Sequence, residues 1–244
     1  MRALVTGAAG QLGREISRVF AKHGEVVALP RADLDICDHD AVQRVTHETH
    51  PDVILNCAAC NDVDGAETDP VTAMQVNGFA VRSLATVARE VGAVLVHYST
   101  DFVFDGETNH PYDELASPGP QSVYATSKLL GEWLACGAPR HYVLRVESLF
   151  GAGAEALDPS VRPRGSTLDR MVDAMMAGRP VRAFTDRTVS PSYVPDVAAA
   201  TRALVKSNAE VGLYHCVNTG RAIWFEVAQA AARRLGCEPL LSPI

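Results

Sequence analysis

Apolar and polar positions along this chain follow two periods. Short, nearly continuous apolar runs recur at 2–6, 25–29, 52–57, 93–98, 141–146 and 212–217, and a shorter alternating stretch lies at 33–36. Strands that are apolar throughout belong to a sheet covered on both faces. Between them the period lengthens to that of a helix: after the first strand to about Lys22, at 38–48, and from Pro70 to about Val91, where Ala73, Ala80, Leu84 and Ala88 form one stripe. Helical spacing returns at 167–177, with Ser166 placed to cap it, at 197–205 and at 223–235; a short strand fits 181–184. This alternation predicts an α/β fold. The sheet is Rossmann-like, doubly wound and mostly parallel, with about seven strands in the order 3-2-1-4-5-6-7 and right-handed crossovers. Composition shifts after residue 146. Residues 1–146 are expected to form one domain and 147–244 a small lobe over the strand ends, with segments at about 181–217 returning to the main sheet. The Gly-, Ala-, Pro- and Arg-rich stretch 151–166 has no periodicity and suits a lid beside a cleft.

Composition narrows the function. The 244 residues are 47% hydrophobic and 21% charged, which are globular values that allow a full core. The net charge is −7 and no basic run occurs, so nucleic acid is not an expected partner. No apolar run approaches a membrane span, and Met1 leads straight into a strand pattern, so a cytoplasmic protein is expected. The six cysteines then read as free thiols. Cys57 and Cys60 make a C-x-x-C, but no second pair and no nearby histidine completes a metal site, and both read as small buried residues.

Three motifs carry chemistry. The first is Gly7-Ala8-Ala9-Gly10-Gln11-Leu12-Gly13, directly between the first strand and the first helix. Gly7 permits the tight turn, Gly10 lets the backbone approach a pyrophosphate, and Gly13 lets helix and strand pack closely, while the helix N-terminus attracts phosphate. The second strand ends in Leu29-Pro30-Arg31, without the acid that takes the ribose hydroxyls of NAD, and Arg31 suits the extra phosphate of NADP. NADP(H) is therefore favoured, with NAD(H) as the alternative. Ala58 and Ala59 follow the fourth strand and leave room for a cofactor. The second motif is Tyr124-x-x-x-Lys128, whose side chains share one helix face. A neighbouring ammonium stabilises a phenolate, so Lys128 is expected to lower the Tyr124 pKa and make its proton available to a carbonyl oxygen as a hydride arrives. The third is Ser99-Thr100-Asp101-Phe102-Val103-Phe104-Asp105-Gly106, delivered by the fifth strand, where the Thr100 hydroxyl can hold that carbonyl.

The G-x-x-G-x-x-G spacing together with Tyr-x-x-x-Lys resembles the short-chain dehydrogenase/reductase superfamily. Within it, Ser-Thr-Asp-Phe-Val-Phe-Asp-Gly resembles the Ser-Thr-Asp-Tyr-Val-Phe-Asp-Gly of the dTDP-4-dehydrorhamnose reductases. So do Pro111-Tyr112-Asp113-Glu114, Pro118-x-Pro120, Asn56-Cys57-Ala58-Ala59 and Val63-Asp64-x-Ala66-Glu67. Related dehydratases carry Thr-Asp-Glu; Phe102 stands in place of that acid and cannot transfer a proton. The resemblance covers essentially the whole chain and implies reduction of a nucleotide-linked 4-keto-6-deoxy sugar, with a homodimer as the assembly. It places Asp35 and Ile36 against the adenine, brings Gln11, Leu12 and Cys60 to the cofactor, sets Asn77 near the active site, and gives Lys128 the nicotinamide ribose. It assigns Asp101, Phe102 and Ser148 to the substrate, with Arg162, Arg164, Arg187 and Arg221 as candidates for its diphosphate. Some relatives use magnesium at a subunit contact, where Glu15 falls by position; no metal-spaced cluster occurs, and no metal is expected.

Two departures bear on the sugar. The family's Arg-Thr-Ser-Trp is Arg145-Val146-Glu147-Ser148 here, and the family's Ala-Arg-Arg-Pro-type tail has no counterpart after Pro243-Ile244. Two rival readings fit the same residues: a sugar-nucleotide 4-epimerase, and a non-catalytic subunit similar to the regulatory subunit of methionine adenosyltransferase. The set Thr100, Tyr124 and Lys128 argues for catalysis.

Overall fold

The computed structural model describes residues 1–151 and 165–244. Most of the expected lid, with Arg162 and Arg164, lies outside the described residues. In chain order the elements are β1 (Arg2–Thr6), α1 (Gln11–Ala21), β2 (Glu25–Leu29), α2 (His39–Thr49), β3 (Val53–Asn56), α3 (Val63–Thr68), α4 (Pro70–Met74), a π-helical turn (Gln75–Phe79), α5 (Ala80–Val91) and β4 (Val94–Thr100). A 3-10 turn (Asp101–Val103), α6 (Val123–Ala135) and β5 (His141–Val146) follow. The remainder is α7 (Thr167–Met176), β6 (Val181–Ala183), β7 (Thr188–Val189), α8 (Val194–Ser207), β8 (Gly212–His215), β9 (Ala222–Ile223), α9 (Trp224–Leu235) and β10 (Leu241–Pro243).

Among the described residues, six strands form one parallel sheet in the order β2-β1-β3-β4-β5-β8. Alternate residues of each strand feed opposite cores, as strand geometry requires. Ala3, Val5, Val53, Leu55, Val96 and Leu144 pack with α1 and α8. Leu4, Ile54, Leu95 and Val143 pack with α2, α5 and α6. Leu4, Ile54 and Leu95 are fully buried, and each such side chain stabilises the fold by about 1.5–3 kcal/mol.

The sheet has the expected order less one strand. Asp33–Ile36 is a turn: the amides of Asp33 and Leu34 bond to the Pro30 carbonyl, and the Cys37 amide bonds to Asp35 Oδ1. Leu34 and Ile36 alternate toward the core as in a strand, but their backbone bonds close locally and no ladder forms. The helix expected from Pro70 to Val91 is broken by the π-helical turn at Gln75–Phe79. Of the stretch 181–217, β8 joins the main sheet and α8 packs on α1, whereas β6 pairs with β10 in a separate two-stranded sheet. Ser166 caps α7 in a reciprocal box with Asp169. No described helix is long and apolar enough to cross a membrane.

Candidate active site

The C-terminal ends of β1, β3, β4 and β5 converge on one edge of the sheet, the side on which open α/β sheets bind ligands. β1 runs through Gly7 into α1. Gly7 has φ +64°, and a Cβ there would come within 2.6 Å of the Ala58 amide nitrogen; a Cβ on Gly13 would meet the Gly7 carbonyl at 2.4 Å. The turn is thus pressed between the ends of β3 and α1, and larger residues would open it. Gly10 caps α1 without a side-chain bond, so the first-turn amides are open to an anion. Leu12 is buried in the core beneath, and the buried Gln11 Nε2 has no partner. A cradle without room for Cβ, an open helix terminus and an unpartnered amide suit a bound pyrophosphate. Beside it lies a cavity of about 220 Å³ lined by Arg31, Asp35, Ile36, Ala58, Ala59 and Cys60, together with Leu34, Thr72 and Val76. Arg31 is exposed and pairs with Asp35 at 3.6 Å, an exchangeable surface contact worth little. The expected cofactor-side residues therefore gather in one place. Thr72 and Val76 escaped sequence reasoning, although their i,i+4 spacing just after the Ala58–Cys60 segment was the available signal.

Behind the cavity sits a buried polar frame. Asn77 projects from the π-helical turn; its Nδ2 donates to the Cys60 carbonyl and to Ser127 Oγ, each at 2.9 Å, and its Oδ1 accepts from the Cys60 amide at 2.8 Å. One side chain thus ties the end of β3 to α6. A second chain runs across the sheet: Thr6 Oγ1 donates to Asn56 Oδ1 at 2.7 Å, and Asn56 Nδ2 to His97 Nδ1 at 3.1 Å. Burial, with the nearby Lys128 charge, holds the His97 pKa well below its ordinary value, so this imidazole is neutral.

On α6, Tyr124 and Lys128 are both buried. Lys128 Nζ donates to the Tyr98 carbonyl at 2.6 Å, and burial lowers its pKa to about 8 against the pull of Glu132. The expected acidification of the phenol by Lys128 is not met. Burial pushes Tyr124 up to about 12; contact with the Thr100 hydroxyl opposes this and the Asp101 charge adds to it. The ammonium is committed to a carbonyl, and desolvation of the phenolate dominates. The Phe102 ring stands edge-on to Tyr124 with centroids 5.9 Å apart and is 45% exposed, so it borders the open side. Thr100 Oγ1 donates to Asp101 Oδ1 at 3.0 Å.

Beyond β5, Ser148 is half-buried with φ +45°, a left-handed backbone that strains a residue bearing a Cβ. Glu147, which sequence reasoning passed over, turns its carboxylate to the Ser190 amide at 2.8 Å. Its signal was an acid directly after an apolar strand at the ligand edge. β7 and β9 pair antiparallel and carry Arg187 and Arg221 at their ends; the Arg187 guanidinium lies over the Phe184 ring at 4.3 Å. Glu15 is buried and accepts from Arg18 Nε at 2.9 Å. Among the described residues, no group of three or more His, Cys, Asp or Glu side chains is arranged to hold a metal ion. All six cysteines are free.

Comparison with known proteins adds to this geometry. The family described as RmlD substrate binding domain matches residues 1–244. A dTDP-4-dehydrorhamnose reductase of Streptomyces griseus is 38% identical over 98% of this chain and 77% of its own length. A dTDP-4-keto-6-deoxy-D-glucose reductase of Streptomyces niveus is 35% identical over 98% of this chain and 80% of its own. The crystal structure of dTDP-4-dehydrorhamnose reductase from Bacillus anthracis in complex with NADP superposes with a TM-score of 0.91 at 29% identity, covering all of this chain and 83% of that one.

Proposed function

The chain belongs to the RmlD substrate binding domain family, and on that footing we propose that it is an NAD(P)H-dependent reductase of a nucleotide-linked 4-keto-6-deoxy sugar, of the dTDP-4-dehydrorhamnose reductase type. The observation that carries the reading is the burial of Tyr124 and Lys128 on one face of α6 against the end of β4, where Thr100 is also buried, with Lys128 Nζ on the Tyr98 carbonyl and the Phe102 ring edge-on to Tyr124. Gly7, Gly10, Gln11, Leu12 and Gly13 would hold the pyrophosphate, Asp35 and Ile36 the adenine, and Ala58, Ala59 and Cys60 the nicotinamide half. The NADP of the Bacillus anthracis enzyme and the exposed Arg31 favour NADP(H), with NAD(H) as the alternative. When bound, the reduced nicotinamide supplies a hydride to the keto carbon.

The chain's own residues do the rest. A phenol held at about 12 stays protonated at neutral pH and is available as a donor. Tyr124 gives that proton to the keto oxygen, which the Thr100 hydroxyl holds in place. Lys128 would hold the nicotinamide ribose when the cofactor is bound and lend its charge to the phenolate once it forms. Asp101, Phe102 and Ser148 would border the sugar, and the parts of 147–244 outside α8 and β8, which belong with the main sheet, would form the substrate lobe, with Arg187 and Arg221 available to its diphosphate.

The test is NADPH and NADH absorbance with a panel of nucleotide-linked 4-keto-6-deoxy sugars. Tyr124→Phe should lower turnover by about 10²- to 10⁴-fold, the usual span for a positioned acid, with nearly unchanged NADPH affinity. Full activity in that variant would refute the mechanism.

A further inference from the structure

Arg145, near the end of β5, lies opposite Ser99 of β4 on one side and His215 of β8 on the other. It is buried, and so is its partner Glu132. Arg145 Nε donates to Glu132 Oε1 at 2.8 Å and Nη2 donates to Glu132 Oε2 at 2.7 Å. This two-pronged pairing is one that a lysine cannot reproduce. Glu132 sits on α6 one turn beyond Lys128 and two turns beyond Tyr124, positions that share a helix face. The edge of the guanidinium thus fixes the helix of Tyr124 and Lys128 to β5.

The flat face of the same guanidinium has a second neighbour. Arg145 Cζ stands 4.8 Å from the centroid of the Phe104 ring. A cation over an aromatic face is attracted to it, the more so when both are withdrawn from water. Phe104 also stacks on Tyr112, with centroids 4.2 Å apart, and meets the His215 ring edge-on at 5.8 Å. The Tyr112 hydroxyl donates to Asp105, and Glu114 accepts from the His215 amide at 3.0 Å. The loop from β4 to α6 is therefore moored at Phe104 to the paired ends of β5 and β8. Phe102 lies two residues before Phe104, across the fully buried Val103. The Phe104 amide donates to the Asp101 carbonyl at 3.0 Å, and the Gly119 amide to the Val103 carbonyl at 2.8 Å. These bonds tie the turn that carries Phe102 to the moored residue.

We propose that Arg145 and Phe104 are positioning residues for the reduction. The guanidinium holds α6 by its edge and the Phe102 rim by its face, and so sets that rim against the Tyr124 phenol. The inference rests on the reductase reading above. Removing the Phe104 ring leaves the fork on Glu132 in place. Tyr124 and Lys128 then stay put while the rim loosens, and the loss falls on sugar binding more than on the chemical step.

Two measurements on the full chain test this. In steady-state reduction, Phe104→Leu should raise KM for the keto sugar on the order of 10-fold, the loss of one such contact. The change in kcat should be much smaller, with NADPH affinity unaltered. Phe104→Tyr, which keeps the ring, should restore KM. Arg145→Lys keeps a charge beside Glu132 but offers no plane to the ring, so the double variant should have a KM no higher than the worse single one. Residues that merely brace the fold would lower the melting temperature and leave KM in place. The second measurement needs no activity: the Phe104 and Gly119 amides should exchange hydrogen faster in Phe104→Leu, while those of α6 keep their rates. An unchanged KM in Phe104→Leu, KM effects that multiply in the double variant, unchanged exchange at the two amides, or faster exchange throughout α6 overturns the clamp. Absence of reduction by the wild-type chain overturns the reductase reading instead, and exchange still decides whether Arg145 and Phe104 moor the rim.

Discussion

Lys128 shows how a single residue can be set against the fold that holds it. Its ammonium is fully enclosed, and burial brings its pKa from 10.5 to about 8. A lysine whose folded pKa lies below its unfolded value weakens the fold wherever both states are charged. The penalty is full below about pH 8 and fades as the pH climbs toward 10.5. Its size is on the order of 3 kcal/mol, from about 2.5 pKa units at about 1.4 kcal/mol each. Lys128→Met should therefore abolish reduction yet raise the melting temperature at pH 7, with the gain shrinking at pH 10; thermal melts at the two pH values check both parts. That this residue and Tyr124 share a face was legible from their spacing, because four positions on a helix fix it, and their candidacy for chemistry came from the glycine turn and Thr100 as context. The direction of the Tyr124 shift was not legible. It depends on what surrounds the phenol, and the commitment of Lys128 to the Tyr98 carbonyl links residues 30 positions apart. Glu147 escaped for the same reason: its partners Ser190 and Ser192 are supplied by a segment more than forty residues downstream.

At the scale of elements, the site depends on how closely α6 can approach the π-helical turn. Gly131 makes the approach possible. A Cβ there would fall 2.2 Å from the Asn77 carbonyl oxygen and 2.9 Å from His97 Nε2. Neither neighbour can yield easily, since one is backbone and the other lies in the buried Thr6–Asn56–His97 chain. Gly131→Ala should cost about 2–3 kcal/mol, the upper range for overpacking, and should lower activity by displacing Tyr124 and Lys128 together. Denaturant unfolding alongside turnover measures the two effects. The helical and strand periods located most elements within a few residues. The failures occurred where local pattern and backbone pairing part company. Leu34 and Ile36 alternate like a strand in a turn closed by Pro30, and the stripe Ala73, Ala80, Leu84, Ala88 runs unbroken through a π-helical turn that only the hydrogen-bond register reveals.

Across the whole molecule, two cores on opposite faces of the sheet leave its C-terminal edge as the place where separate segments meet. A ligand bound there stabilises everything that holds the edge. Ligand preference can therefore be read from melting. If NADP(H) is favoured tenfold, NADPH should add about 1.4 kcal/mol more than NADH at equal saturating concentration. That is roughly 3–5 °C for a chain of this size. Arg31→Ala should erase the difference, because Arg31 is the exposed cation at the end of β2. An equal or larger shift with NADH in the wild type would reverse the assignment.

The sheet order also sets a schedule. β8 completes the edge beside β5, yet it lies about 70 residues further along the chain. At synthesis rates of about 5–20 residues per second, β5 waits roughly 4–14 s with one row of amides and carbonyls uncovered. In that interval a nascent strand carrying Tyr142, Val143 and Leu144 is open to pairing with the wrong neighbour. The hazard for this protein in the cell thus precedes its completion, and a slowed ribosome between residues 146 and 212 would prolong it.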